Sequence, residues 1–386
     1  MNDRMQRGIF GDIALNTNAS PLRTEIFNSF FPNSNLMKSI KLFILLTAVL
    51  LLCSCGGGKG KKSYDKVGLD GLTERTENLR DNLKTYVNKG IMIGQMYGTI
   101  EGIGWKNDSA RSDIYEITND NPAVVGYRID GIESGADINP DSLRFADIRK
   151  NVIDYFHRNG LILMSWAMPE QTDDDKQIDL WTQELAKFFD SLQDQYGIKA
   201  PVVLFVNPLH QGTWYSSLSK DDYEDMFEKV TDALKDKEVT NVIYGYSEEW
   251  NGKQLRGFYP DGISVINLTY LLHANSGNGD EYAATLNRVL PQLASAASDN
   301  DAVAGLTTGI EGLSDSTFFS SRLLPCLHKT RLSYVMFGPN HGDFKDGHYY
   351  VPYPGISNDL IHDFTNFYND PLTVFLSSLN GLYLKH

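Results

Sequence analysis

Two hydrophobic patterns alternate along most of this chain. Short unbroken apolar runs are separated by longer stretches whose apolar residues recur every three or four positions. The first pattern suits strands buried on both faces, the second helices with one buried stripe. The clearest run, Val202-Val203-Leu204-Phe205-Val206, passes at once into Asn207, His210, Gln211 and Trp214. In all, the runs predict eight strands, at residues 91–94, 123–127, 161–166, 202–206, 241–246, 263–268, 302–306 and 332–337. The periodic stretches predict helices over 73–88, 141–158, 179–193, 221–234, 282–297 and 318–327, with a closing helix over 363–369. Eight strands alternating with helices point to a single-domain (β/α)8 TIM barrel of the α/β class. A doubly wound open sheet shares that alternation. However, the glycines of residues 94–104 do not have the GxGxxG spacing of a phosphate-binding first turn.

Composition narrows the partners. The net charge of −14, with no basic stripe, argues against nucleic acid. A neutral or cationic small molecule, or an uncharged polymer, fits better. The eight histidines are scattered without an HxxxH or CxxC pair, so no metal or other cofactor is expected.

Residues 37–55, MKSIKLFILLTAVLLLCSC, join two lysines to an apolar run of signal-peptide length. The ending Leu52-Cys53-Ser54-Cys55 resembles a bacterial lipobox, with Cys55 as the acylated residue. Residues 1–36 then read as an over-long start, residues 56–68 (beginning GGGKGKKS) as a flexible tether, and residues 69–386 as the barrel. The expected location is the envelope of a Gram-negative bacterium, lipid-anchored at the periplasmic face or outer membrane. Cys326 alone remains in the barrel and reads as a buried small hydrophobe.

In such a barrel the residues past the carboxyl ends of the strands collect on one face, where ligands bind. They are Gln95 and Trp105, Asp130, Trp166 and Glu170, His210 to Tyr215, Glu248 to Trp250, Thr269 and Tyr270, Thr307 to Glu311, and Phe337 to His341. Trp105, Trp166, Trp214 and Trp250, four of the five tryptophans, all fall at that end. Aromatic faces beside amides and carboxylates suit a sugar ring, whose C–H face stacks while its hydroxyls seek polar partners. Loop packing by the same rings accounts for one or two of them.

Several segments resemble glycoside hydrolase family 26, whose best-known members are endo-β-1,4-mannanases with this barrel. The likeness runs through NPAVVGYRID, GLILMSWAMPEQ, PLHQGTWYS, AGLTTGIEGLSDSTFFSSRLLPCL, LSYVMFGPN, GHYYVPYPG and DFTNFYNDPLTVF, within residues 91–375. It implies a β-mannan-type polysaccharide or oligosaccharide as partner. It also implies Trp105, Asp130, Trp166, His210, Trp214, Tyr215, Tyr270 and Phe337 as substrate-binding residues.

The chain departs from the family at its chemistry. Gln211 stands at the acid/base glutamate and Thr307 at the nucleophile; Asn207 replaces arginine, Ala167 histidine, and Phe337-Gly338 the usual Trp-Arg. Glutamine has no titratable proton to give a leaving oxygen, and Thr307 has no adjacent base. The reading is therefore a mannanase-like protein of polysaccharide utilisation that binds glycan with weak or no hydrolysis. The alternative is an active retaining β-mannanase or related β-glycanase with relocated carboxylates, drawn from Asp130, Glu170, Glu248, Glu249 and above all Glu311. A structural partner of other lipoproteins, with no glycan site, is a third reading.

Overall fold

The structure is a computed structural model that describes residues 66–108, 111–273 and 279–386. The leader, Cys55 and all but the last residues of the tether lie outside the described residues. Eight strands form the barrel: β1 Ile91–Met96, β2 Val124–Arg128, β3 Leu161–Trp166, β4 Val202–Val206, β5 Val242–Glu249, β6 Ile263–Leu272, β7 Val303–Ile310 and β8 Tyr334–Phe337. Each pairs in parallel with the next. β8 returns to β1, with Met92 opposite Tyr334 and Gln95 opposite Phe337, and so closes the barrel. A two-residue strand, Thr373–Val374, pairs with the start of β1.

Helices cover the barrel: α1 Glu74–Tyr86, α2 Asp113–Thr118, α3 Phe145–His157, α4 Asp175–Ser191, α5 Lys220–Asp236, α6 Gly279–Asp299, α7 Leu324–Leu327 and α8 Asn358–Tyr368. α5 shows the local logic. Ser219 caps it by accepting from the Asp222 amide, and Tyr223, Met226, Phe227, Val230 and Leu234 form its buried stripe.

Two expectations are corrected. The segment predicted as a helix over 318–327 is a π-helical turn, Phe318–Leu323, followed by one α-turn. Pro325 cannot donate to the turn before it. Asp363 holds the widened turn instead, accepting from the amides of Phe319 and Ser320 at 2.7 and 3.1 Å. Moreover, β5, β6 and β7 run three or four residues past their predicted ends. Backbone pairing is indifferent to side-chain polarity, so Ser247 to Glu249, Thr269 to Leu272 and Thr307 to Ile310 stay in register. These residues line the barrel wall rather than loops.

Inside the barrel, large side chains fill space left by glycines on other strands. A Cβ on Gly126, Gly245 or Gly305 would lie 2.5, 2.4 or 2.2 Å from Met336, Phe205 or Tyr334. These pairs floor the barrel beneath its mouth. Cys326 is a free, buried thiol on α7 that faces the Ala283 carbonyl of α6, as the sequence suggests.

Candidate functional site

The upper layer of the barrel is polar. Glu249, Thr269 and Thr307 are in register on three consecutive strands. Strand spacing then puts the Glu249 and Thr307 backbones about 10 Å apart. The Glu249 Oε2 accepts the Gln211 backbone amide at 2.9 Å, which ties the end of β5 to the loop after β4. The Gln211 side chain itself is exposed. Arg128, at the end of β2, pairs through Nε with Asp130, whose other oxygen accepts the Ala167 amide at 2.8 Å. His210 lies in the field of all three charges. Burial holds its imidazole below the ordinary 6.5; the Glu249 carboxylate works against that fall, as does Asp130, while Arg128 adds to it. Tyr215 is buried near Asp130 and Arg128, and its phenol is pushed up by burial.

Beneath this layer Asn267 organises the floor. Its Nδ2 donates to Ser247 Oγ at 2.9 Å and Thr269 Oγ1 at 3.3 Å. Its Oδ1 accepts from Tyr334 at 2.9 Å and from Thr307 at 3.2 Å. The Thr307 hydroxyl is thus turned down into a buried network where its acceptor is the neutral Asn267 amide, which is no base to make it a nucleophile. Thr308 faces the other way and meets the Tyr282 hydroxyl of α6 at 2.6 Å.

The tryptophans separate into two groups. Trp105 is buried, and its indole donates to the Asp113 carboxylate at 2.7 Å. That carboxylate also accepts from Asn340, which pins the loop after β1 to the loop after β8. Trp166 is fully buried and bonds Glu133; Trp250 is buried beneath the Arg288 guanidinium, 5.3 Å from its ring. These three staple loops and offer no face to a ligand, which is more loop packing than the sequence suggests. Only Trp214 keeps a partly open ring, its edge anchored to the Met168 carbonyl at 3.2 Å. Phe337 likewise points out of the barrel, among Phe319, Phe364 and Phe367. Tyr270 is half-buried and stacks on Tyr282, with ring centres 5.3 Å apart.

The other carboxylates are occupied elsewhere. Glu311 is clamped between His348 Nδ1 at 2.5 Å and His273 Nδ1 at 3.1 Å, and its pKa is held down. Glu170 is exposed. Glu248 alternates with Glu249 and faces away from the mouth. It is 2% exposed, with Oε2 accepting the Arg256 amide at 2.7 Å and the Tyr246 hydroxyl beside the carboxyl. Burial raises its pKa to about 7, against the pull of the Arg256 amide and guanidinium. Arg256 in turn reaches the Ser216 carbonyl, so Glu248 fixes the loop after β5 against the loop after β4.

Three participants were not singled out from sequence: Arg128, Asn267 and Asp113, the carboxylate that joins Trp105 to Asn340. Arg128 and Asn267 carry a readable signal, since each interrupts an apolar strand on its inward-facing register. Asn207 has a local role. It ends β4 in the left-handed conformation (φ 47°), which asparagine tolerates, and its Oδ1 accepts the Met168 amide at 2.7 Å. Among the described residues, no group of three or more histidine, cysteine or acidic side chains is placed to hold a metal ion.

No family model matches the sequence, and no curated protein does. Solved structures do. A glycoside hydrolase family 26 β-mannanase from Bacteroides ovatus is 29% identical with TM-score 0.73, over 81% of this chain and 97% of that one. An endo-β-1,4-mannanase from Cellulomonas fimi is 21% identical with TM-score 0.69, covering 81% and 78% of the two chains. The catalytic domain of a family 26 endo-β-1,4-mannanase from Bacillus sp. JAMB-750 is 20% identical with TM-score 0.68, over 81% and 94%. The solved structures that this (β/α)8 barrel resembles thus include β-mannanases of glycoside hydrolase family 26.

Proposed function

We propose that this chain is a mannanase-family protein that binds a β-mannan-type glycan across the barrel mouth and hydrolyses it weakly or not at all. The observation that carries this reading is the state of Gln211 and Thr307. The first is an amide on an exposed turn, and the second donates its hydroxyl to Asn267. Retaining glycosidases need two carboxyl groups about 5 Å apart, one of them able to protonate the leaving oxygen. Neither position supplies one. Arg128, Asp130, His210, Tyr215 and Glu249 remain as a polar surface that can hold sugar hydroxyls. Acylation at Cys55 and a place at the cell envelope are part of the same proposal and rest on the leader sequence.

One observation favours a second reading. Glu249 lies in the Thr307 layer with one oxygen free of the Gln211 amide, and it shares the neighbourhood of His210 with Asp130. If that pair acts as a relocated acid and nucleophile, hydrolysis survives and Glu249→Gln abolishes it. The deciding experiment titrates the purified chain with manno-oligosaccharides and measures reducing ends in the same samples. Saturable binding without sugar release is expected. Release by the unmodified chain would overturn the proposal, and absence of binding would remove the glycan altogether.

A further inference from the structure

We infer that the outer wall of the barrel carries a second sugar-binding pocket, separate from the mouth and sized for one pyranose ring. A cavity of about 250 Å³ lies between the loop after β3, the segment after β4 and the first turns of α4 and α5. It is lined by Trp214, Gln171, Asp173, Asp222, Asp225 and Lys229, with Met226 at its inner wall. Met226 receives the Asn207 side chain across the end of β4, so the pocket backs onto the barrel from outside.

Three features of the lining point to a sugar. Trp214 is the one tryptophan at this end with an open face, and the Met168 carbonyl fixes its edge, so a ring presented to the pocket costs little ordering. Around that face stand two aspartates, a glutamine amide and a lysine (Asp173, Asp225, Gln171 and Lys229), whose side chains make no hydrogen bond or ion pair among the described residues. By contrast, Asp222 accepts from the Ser219 hydroxyl at 2.6 Å and is held in place. Carboxylates accept from pairs of hydroxyls, the ammonium donates to ring or acetal oxygens, and the amide does both. The volume sets the length. It falls below the roughly 300 Å³ at which pockets for drug-sized ligands begin, so one ring enters and a chain must leave through the open side. A branch unit or a chain end of a polysaccharide meets those terms. The ligand class rests on the glycan reading above; the position and size do not.

The test uses the full chain and three methyl glycosides, of mannose, galactose and glucose, followed by calorimetry and by tryptophan emission. Asp225→Ala combined with Lys229→Met changes the lining at two exposed helix positions. Trp214→Ala removes the ring, and Arg128→Ala alters the mouth instead. At least one glycoside is expected to bind with a change in emission. Its affinity should fall about tenfold or more in the two pocket variants and stay within about twofold in Arg128→Ala. Binding of none of the three glycosides would overturn the inference. So would binding lost in Arg128→Ala and kept in both pocket variants, or a pocket that answers only to calcium chloride. Manno-oligosaccharide binding that depends on Arg128 is scored separately, so the pocket can fail while the mouth reading stands, and the reverse.

Discussion

Glu248 should make this barrel less stable as the solution becomes alkaline, and Glu248→Gln should remove that loss. Its carboxyl is 2% exposed and lies beneath the loop after β5, with one oxygen on the Arg256 amide. Burial raises its pKa from the ordinary 4.5 to about 7. The sign follows from that direction. Below pH 4.5 the group is protonated whether the chain is folded or not, and it contributes nothing. Between pH 4.5 and about 7 the unfolded chain releases the proton while the folded chain keeps it, so stability falls by about 1.4 kcal/mol per pH unit. The loss totals about 3 kcal/mol and is complete above pH 7. Glutamine keeps an oxygen for the Arg256 amide and carries no charge. Urea denaturation of both proteins at pH 5 and pH 8 isolates the effect, since every other titrating group cancels in the difference. The variant should stay within about 1 kcal/mol of the natural chain at pH 5 and exceed it by about 3 kcal/mol at pH 8. Equal stability at both pH values, or a natural chain that outlasts the variant at pH 8, would refute the reasoning.

Other expectations follow from the polar floor and the mouth. Asn267→Leu strips partners from Thr307, Tyr334, Ser247 and Thr269 and should cost about 2–4 kcal/mol in urea denaturation. In the natural chain His210 should titrate below 6.5 by NMR. Glu249→Gln removes the nearby charge that favours its protonated form, so the value should drop further. Gln211→Glu with Thr307→Glu restores a carboxyl at each position. Reducing-end release should then rise above the natural chain, the acid alone being worth about 10²- to 10⁴-fold. No release at all would mean that the mouth has been reshaped beyond those two residues.

The barrel was legible because its strands are buried on both faces. The runs at Leu161–Trp166 and Val202–Val206 are strands with the bounds the pattern gives. Legibility failed where polarity and backbone pairing part company. Ser247 to Glu249 and Thr307 to Thr308 look like loop residues, yet they are strand residues in full register. The direction of a side chain was harder still to see. Trp105, Trp166 and Phe337 lie at the expected end of the barrel but turn into loop and helix packing, because Asp113, Glu133 and Phe364 are there to receive them. Those partners sit 8, 33 and 27 residues away in the chain, which residue types alone do not reveal. The side pocket was invisible for the same reason, since its lining comes from two separate βα segments.

The glycine-and-large-residue couples inside the barrel bear on how such a protein changes over time. Met336 over Gly126, Phe205 over Gly245 and Tyr334 over Gly305 each fill one another's space, so neither member can be exchanged alone. Residues of the rim, such as Gln211, Glu249 and Arg128, meet their neighbours through a hydrogen bond or an ion pair instead. Substitutions can accumulate at the rim while the plug underneath stays intact, so chemistry can be lost and a new ligand taken up without the chain ever passing through an unstable ancestor.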